Sequence, residues 1–164
     1  MVDSQSVKTA NHGGIRGYDA GKRVLGRKRH LLVDTLGLVL LAVVHPANIQ
    51  DRDGAKLLLS LLTKRFGWLK IIWADGGYAG KLIDWVAQIK RHRKIKLCIV
   101  KRSYSVEGFE PLPKRWIVER TFAWLSKHRR LAKDYETKTD SSVAMIHIAM
   151  TRLMINRIKN KKTF

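Results

Sequence analysis

Three acidic side chains stand far apart in a strongly basic chain: Asp3, Asp75 and Glu119. Asp3 and Asp75 fall at the ends of segments that read as strands. In sheets flanked by helices, functional groups collect at strand ends and on the adjoining loops. Asp75 precedes Gly76 and Gly77, which let the backbone turn hard and a bulky ligand come close. Glu119 lies in an apolar helical stretch, Lys114–Tyr135, among Trp116, Ile117, Val118, Phe122, Ala123, Trp124 and Leu125. Arg115 is one turn earlier on the same face, and the cations Lys127, His128, Arg129, Arg130 and Lys133 follow. A carboxylate in such company must be paired, face a cleft or bind a cation, because an isolated buried charge is too costly. Three hard oxygen ligands from separate elements can share one or two Mg²⁺ ions. Two metals about 3.5–4 Å apart stabilise both the attacking and the leaving oxygen of a phosphoryl transfer.

Each acid also has a plainer reading. Asp75 can be a turn residue, the commoner case on spacing alone. Asp3 can be a disordered terminal residue. Glu119 can be a surface partner of Arg115 or Lys127, in a pair worth about 0.2–0.5 kcal/mol. Asp19, Asp34, Asp51, Asp53, Asp84, Asp134 and Asp140 compete for any acidic role, and composition and periodicity do not choose among them.

The chain of 164 residues favours one domain, spanning 1–164. Its 45% apolar content suffices for a core. Lys and Arg number 33 against 13 Asp and Glu, a formal charge of +20, which predicts a polyanionic partner: nucleic acid or an anionic membrane surface. The longest apolar run, Leu38–Val44, has strand length, so nothing is expected to span a bilayer. The first residues lack the apolar stretch of a signal peptide. Cys98, the single cysteine, suits a reducing compartment and excludes an internal disulfide. The six histidines have no zinc-site spacing. The segment Lys22–His30 carries Lys22, Arg23, Arg27, Lys28 and Arg29, and reads equally as a solvated hairpin arm or an arm that contacts phosphates.

Val2-Asp3-Ser4 reads as the last residues of a strand or the turn after it. Asn11–Gly21 reads as a loop. Arg29–Thr35 and Leu38–Pro46 are β-rich runs joined at Leu36-Gly37, an antiparallel hairpin whose second strand is covered on both faces. Asp51–Arg65 follows as a helix with Leu57, Leu58, Leu61 and Leu62 recurring at helical spacing. Trp68–Trp73 is a strand, Gly80–His92 a helix facing the core with Leu82, Ile83, Val86 and Ile89, and Ile95–Val100 a strand. Lys101–Pro113 is a loop, with Pro113 suited to the first turn of the next helix. Ser141–Lys159 closes the chain, with Val143, Ile146, Ala149, Met150, Leu153, Met154 and Ile158 as its buried stripe and Asp140, Ser141 and Ser142 as candidate caps. An antiparallel three-strand unit followed by α/β alternation predicts a mixed sheet with helices on its faces.

Five stretches in order carry a resemblance: VDSQSVK at Val2–Lys8, GYDAGKRVLGRKRH at Gly17–His30, ANIQDRDGA at Ala47–Ala55, WADGGYAG at Trp73–Gly80 and RWIVERTFAWLSKHRRLAKDYE at Arg115–Glu136. Together they resemble a DDE-type insertion-sequence transposase, nearest the bacterial "IS five" family. The resemblance implies an α/β, ribonuclease H-like mixed five-stranded sheet flanked by helices, here with the first strand largely truncated. It implies metal-dependent DNA end cleavage and strand transfer, with Asp3, Asp75 and Glu119 as catalytic residues holding Mg²⁺, or Mn²⁺ in its place. Arg115 and Glu119 fit the Tyr–Arg–Glu–Lys signature of related transposases. Leu112 stands at its Tyr position and Ser126 at its Lys position, which leaves Lys127 or Arg130 as substitutes. The implied partners are transposon-end and target DNA, met by Lys22, Arg23, Arg27, Lys28, Arg29, Arg115, Lys127, Arg129 and Arg130. Trp116 and Trp124 can stack on bases, although core packing is the commoner role on so apolar a helix. A bacterial cytoplasmic, nucleoid-associated homo-oligomer is implied, with no membrane partner. The short segment before Asp3 resembles a downstream reading frame that is joined to an upstream one. The alternatives are a catalytically inactive basic DNA-binding remnant and a ribonuclease H-like nuclease acting on hybrids or junctions.

Overall fold

The computed structural model describes residues 1–10, 14–62, 66–88, 95–100 and 114–160. Four strands build an antiparallel sheet: β1 (Val2–Lys8), β2 (Gly17–Asp19), β3 (Val24–Val33) and β4 (Val39–Pro46). β3 is its centre. β1 covers one edge from Val2 opposite Leu32 to Lys8 opposite Gly26, and β2 lies on the opposite side of β3, beside Val24–Gly26. β4 covers the other edge. After α1 (Asp51–Ser60), β5 (Ile71–Asp75) and β6 (Lys96–Val100) form a parallel pair, with α2 (Lys81–Gln88) between them in the chain. β5 packs beside β1. α3 (Arg115–Ser126) and α4 (Thr139–Lys159) end the order.

Side chains alternate along a strand, so each strand feeds two cores. Val2, Leu32, Ile72, Ala74 and Leu97 pack with Ala55, Leu58 and Leu59 of α1 and Leu82 and Val86 of α2. Leu31, Val33, Ala42 and Val44 pack on the opposite side with Ile117, Val118, Phe122 and Leu125 of α3 and Ile146 and Ala149 of α4. The mixed α/β expectation holds, with helices on both faces. Instead of five strands in one mixed sheet, the described residues form sheets of four and two strands.

The largest departure concerns the basic segment. β3 begins at Val24, five residues before the expected Arg29, and Arg27, Lys28 and Arg29 are buried in the middle of the sheet. They are neither a solvated arm nor open to DNA phosphates, because internal partners on both faces hold them. Arg27 sits 3.2 Å from Asp134 in a buried ion pair. It also donates to the carbonyls of Ile15 at 2.8 Å, Glu136 at 2.7 Å and Thr137 at 2.7 Å. Arg29, on the same face, donates to the carbonyls of Leu131 at 2.7 Å and Lys133 at 3.2 Å. Lys28, on the other face, pairs with Asp51 at 2.9 Å and Asp19 at 3.4 Å. Charge content reads as exposure unless such partners are known.

Other departures are smaller. β1 runs on to Lys8, so Asp3 lies near the start of this strand rather than at its end. Gly17–Asp19 is a strand inside the expected loop. The strand expected at Trp68–Trp73 lies at Ile71–Asp75. Leu58 and Leu59 of α1 and Leu62 beyond it are buried, whereas Leu57 and Leu61 are exposed, because a near-continuous leucine run leaves the helical phase open. In α2, Ile83 is exposed, and Ile158 of α4 lies beyond the core at 71% exposure. Ser142 is not a cap: its hydroxyl donates to Asp134 at 2.8 Å, inside the Arg27 cluster. α1 ends at Ser60, short of the expected Arg65, and Leu61 and Leu62 lie beyond it. Thr63–Arg65, Ile89–His92 and the Lys101–Pro113 loop lie outside the described residues. The hairpin at Leu36-Gly37 is as expected. Asp34 accepts from the N–H groups of Leu36 and Leu38 at 2.8 Å each, and Gly37 takes φ 82° with its carbonyl 2.7 Å from the Thr121 hydroxyl of α3.

Removing one partner of a buried ion pair leaves an uncompensated charge, at a cost of about 3–5 kcal/mol. Asp134→Asn is expected to lower the unfolding free energy by about that much in urea titration, whereas Arg23→Gln, on the exposed turn before β3, changes it by less than about 0.5 kcal/mol.

Candidate active site

β1 and β5 lie side by side and each carries an acid. Asp3 accepts the N–H of Ser4 at 2.7 Å. Asp75 ends β5 and accepts the N–H of Gly77 at 2.9 Å, capping the short 3₁₀ turn Gly76–Tyr78. The turn role foreseen for Asp75 is therefore real, and it leaves the second carboxylate oxygen free of that bond. The charge of Asp75 reaches Asp3. Burial pushes the Asp3 carboxyl up to about 6, the negative charge of Asp75 adds to the rise, and the Ser4 N–H and the charges of Lys22 and Arg115 oppose it. Asp3 is thus an ordered strand residue rather than a frayed end.

Glu119 does not join them. It lies on the outer face of α3 with its side chain 54% exposed, and its Oε1 is 2.9 Å from Nε of Arg115. That contact is a charge contact without hydrogen-bond alignment, since Arg115 Nε has no hydrogen-bond partner. Among the described residues no three His, Cys, Asp or Glu side chains converge on a position that could hold a metal ion. The expected convergence of the three acids is reduced here to the pair Asp3 and Asp75.

A buried polar chain that residue spacing did not reveal backs that pair. Tyr78, His30 and His45 are all buried. Nδ1 of His45 lies 2.9 Å from the Pro46 carbonyl, which can only accept, so this nitrogen carries the proton. The neutral ring then accepts at Nε2 from Nδ1 of His30 at 2.8 Å, and Nε2 of His30 accepts from the Tyr78 hydroxyl at 3.2 Å. Burial first, then the neighbouring His45, pushes His30 down to about 3, so the chain stays neutral near pH 7. Burial, followed by the charges of Asp3 and Asp51, raises the Tyr78 hydroxyl well above its ordinary value. Beside it, the Ser4 hydroxyl donates to Asp51 at 2.9 Å, and Asp51 also holds Lys28. One signal could have found this chain. Gly54 lies inside a helix, and a Cβ there would collide with the rings of His30 and His45. Glycine in a helix interior is costly unless something must approach closely.

The donor chemistry of Asp3 and Asp75 fits a hard divalent cation. Two neighbouring carboxylates repel, one is largely buried, and oxygen ligands suit Mg²⁺. Of the expected phosphate contacts, Lys22 and Arg23 are exposed near β3, and Lys22 acts on Asp3. Arg115 is held at Glu119 and also acts on Asp3. Lys127 and Arg129 are exposed after α3, and Arg130 pairs with Glu136 at 2.8 Å. Trp116 is 51% exposed rather than core.

Residues 1–154 match the family described as Transposase DDE domain. The chain is also similar to the putative transposase for insertion sequence element IS402 of Burkholderia cepacia, at 29% identity over 142 residues, covering 82% of this chain and 65% of that relative. It thus spans about two-thirds of the relative's length. No solved structure matches. Among the described residues no helix is long and apolar enough to cross a membrane.

The Asp3 carboxyl gives a signed pH dependence. Between its ordinary 3.8 and about 6 the folded chain holds a proton that the unfolded chain has lost, so this group's contribution falls as pH rises. Ionised Asp3 then costs about 3 kcal/mol above pH 6. His30 works the other way: its folded value of about 3 lies below the ordinary 6.5, so stability falls as pH drops through that window. Asp3→Asn removes only the first contribution. In chelator, its urea-unfolding free energy is expected to exceed the parent's above pH 6, with the gap closing near pH 4; a pH-independent gap rejects the account.

Proposed function

The chain belongs to the transposase DDE-domain family, and from that premise we propose that it carries the catalytic acids of an insertion-sequence transposase, cutting element ends and joining the freed 3′-OH to target DNA. The observation that supports this most is the pair Asp3 and Asp75 on adjoining strands, backed by a satisfied polar network and set in a chain of net charge +20. Helices on both faces of the sheet are compatible with a ribonuclease H-like domain, which we take residues 1–164 to form.

Asp3 and Asp75 would hold Mg²⁺, or Mn²⁺ in its place, and Glu119 would complete the set. Such a cation, when bound, supplies Lewis-acid polarisation of a phosphodiester oxygen. The chain's own groups do the rest. At pH 7.5 Asp3 is ionised, and Lys22 and Arg115 lie close enough to bias it that way. The misaligned Arg115–Glu119 contact is an exchangeable one. Once a DNA phosphate takes the Arg115 guanidinium, bidentate pairing favours the phosphate and releases the Glu119 carboxylate towards the acid pair. Tyr78, His30 and His45 fix the turn that follows Asp75. The working form is read as a homo-oligomer on paired ends.

The second reading is a basic DNA-binding chain without catalysis. Its support is the retention of Glu119 by Arg115. The test is Mg²⁺-dependent cleavage of element ends by the full-length protein. Asp75→Asn is expected to lower the rate by at least about 100-fold, while Asp84→Asn, on the exposed face of α2, leaves it unchanged. Equal activity of the Asp75 variant and the parent rejects the site, and absence of cleavage in any form favours the second reading.

A further inference from the structure

The exposed side of α3 carries a ladder that the catalytic reading does not use. The Arg120 guanidinium lies 4.5 Å from the Trp116 ring centre and 4.7 Å from that of Trp124, and Arg157 of α4 lies 4.3 Å from Trp124. Two guanidiniums therefore share one indole. Burial, followed by the charge of Arg120, lowers the Arg157 value, with Asp34 acting in the opposite sense. The ladder ends in a groove of about 290 Å³ between the end of α3 and α4, lined by Trp124, Lys127, His128, Arg152, Asn156 and Arg157. A second groove of about 370 Å³ continues past Arg152 and His128 to Arg129 and Arg130. Among the described residues Lys127, Arg129 and Arg152 form no ion pair. Cations gathered at this density repel one another, and an anion laid among them relieves that repulsion.

We propose that the α3–α4 face is a docking track for the DNA sugar-phosphate backbone, on which Trp116 and Trp124 serve as platforms that aim Arg120 and Arg157 at phosphates. Both sequence-based roles for the tryptophans, base stacking and core packing, are replaced. Trp116 is too exposed for core, and guanidiniums already lie over both rings. Cation–π contact fixes a guanidinium in place at little entropy cost. Arg120 spends one nitrogen on the Leu36 carbonyl at 2.9 Å, which anchors the ladder to the sheet hairpin. Arg120 follows Glu119 on α3, and the track runs from there towards α4. DNA as the polyanion rests on the transposase reading, whereas the track itself stands on geometry.

The test measures binding of the full-length protein to a duplex, and to one of its single strands, across a salt series. Arg152→Gln and Arg157→Gln are each expected to weaken duplex binding several-fold and to reduce the log–log salt slope by about 0.9. Trp124→Leu is expected to reproduce the Arg157→Gln loss, slope included, and to add little in the double variant. Should Trp124→Leu lower folded content by circular dichroism, Trp116→Leu replaces it, with Arg120→Gln as its paired variant. A tryptophan effect confined to single strands, additive with the arginine variants and without a slope change, means base stacking and overturns the platform role. Unchanged slopes in Arg152→Gln and Arg157→Gln overturn the track. Loss of binding to vesicles of anionic lipid, with DNA binding intact, assigns the face to membranes and overturns it as well. Asp75→Asn keeps the parent's slope, so failure of the catalytic reading leaves this result standing.

Discussion

Three consecutive cations in the middle strand of a sheet set the terms for the rest of the molecule. Arg27, Lys28 and Arg29 lie on β3 with neighbours along both edges, and each must find compensation where water does not reach. Strand alternation sends Arg27 and Arg29 to one face and Lys28 to the other. The partners must therefore come from two directions. Asp134 and the carbonyls of Leu131, Lys133, Glu136 and Thr137 arrive from the segment after α3. Asp19 and Asp51 arrive from β2 and α1. The segment after α3 is tied down further by backbone bonds between Asp134 and both Lys8 and Ala10. Buried charge thus dictates where helices and connections lie, beyond what the apolar cores require.

The candidate site draws on the same arrangement. Lys28 holds Asp51, Asp51 holds Ser4, and Ser4 donates its N–H to Asp3. On the same face His30 reaches Tyr78, two residues past Gly76 in the turn that Asp75 caps. The strand that carries structural cations also braces both acids. This links stability to chemistry: groups that keep β3 neutralised are the ones that fix the carboxyl pair. Glu119 stands apart because α3 faces the opposite core, and its carboxylate meets Arg115 before it meets either aspartate.

Elements with strong periodic patterns were legible in the sequence. The apolar run of β4, the turn at Leu36-Gly37, the helices opening at Asp51 and Arg115 and the strand at Lys96–Val100 lie where the pattern places them. The acids Asp3 and Asp75 were legible as strand-associated groups, Asp75 directly ahead of two glycines. The phase of α1 was not, since leucines at five of six positions from Leu57 to Leu62 satisfy more than one buried face. Nor was the burial of Arg27–Arg29, because a run of cations has no periodic mark of the partners that neutralise it. The His30–His45–Tyr78 chain was hidden for a related reason. Its members are separated by 15 and 33 positions in sequence and meet only through strand pairing and the close packing of Gly54.

By itself the sequence determined the class of the protein: a basic α/β chain with acids at strand ends, and the ordered motifs of a DDE transposase. These are properties of residue type and local spacing, which need no knowledge of distant contacts. Tertiary structure alone decided which charges are interior and which are surface, that two of the three acids lie on adjoining strands while the third is held by an arginine, and that the tryptophans of α3 carry guanidiniums. Each of these depends on which side chains from remote segments come within a few ångströms of one another. Electrostatic and cation–π energies fall away beyond that range, so the linear order of residues does not specify them.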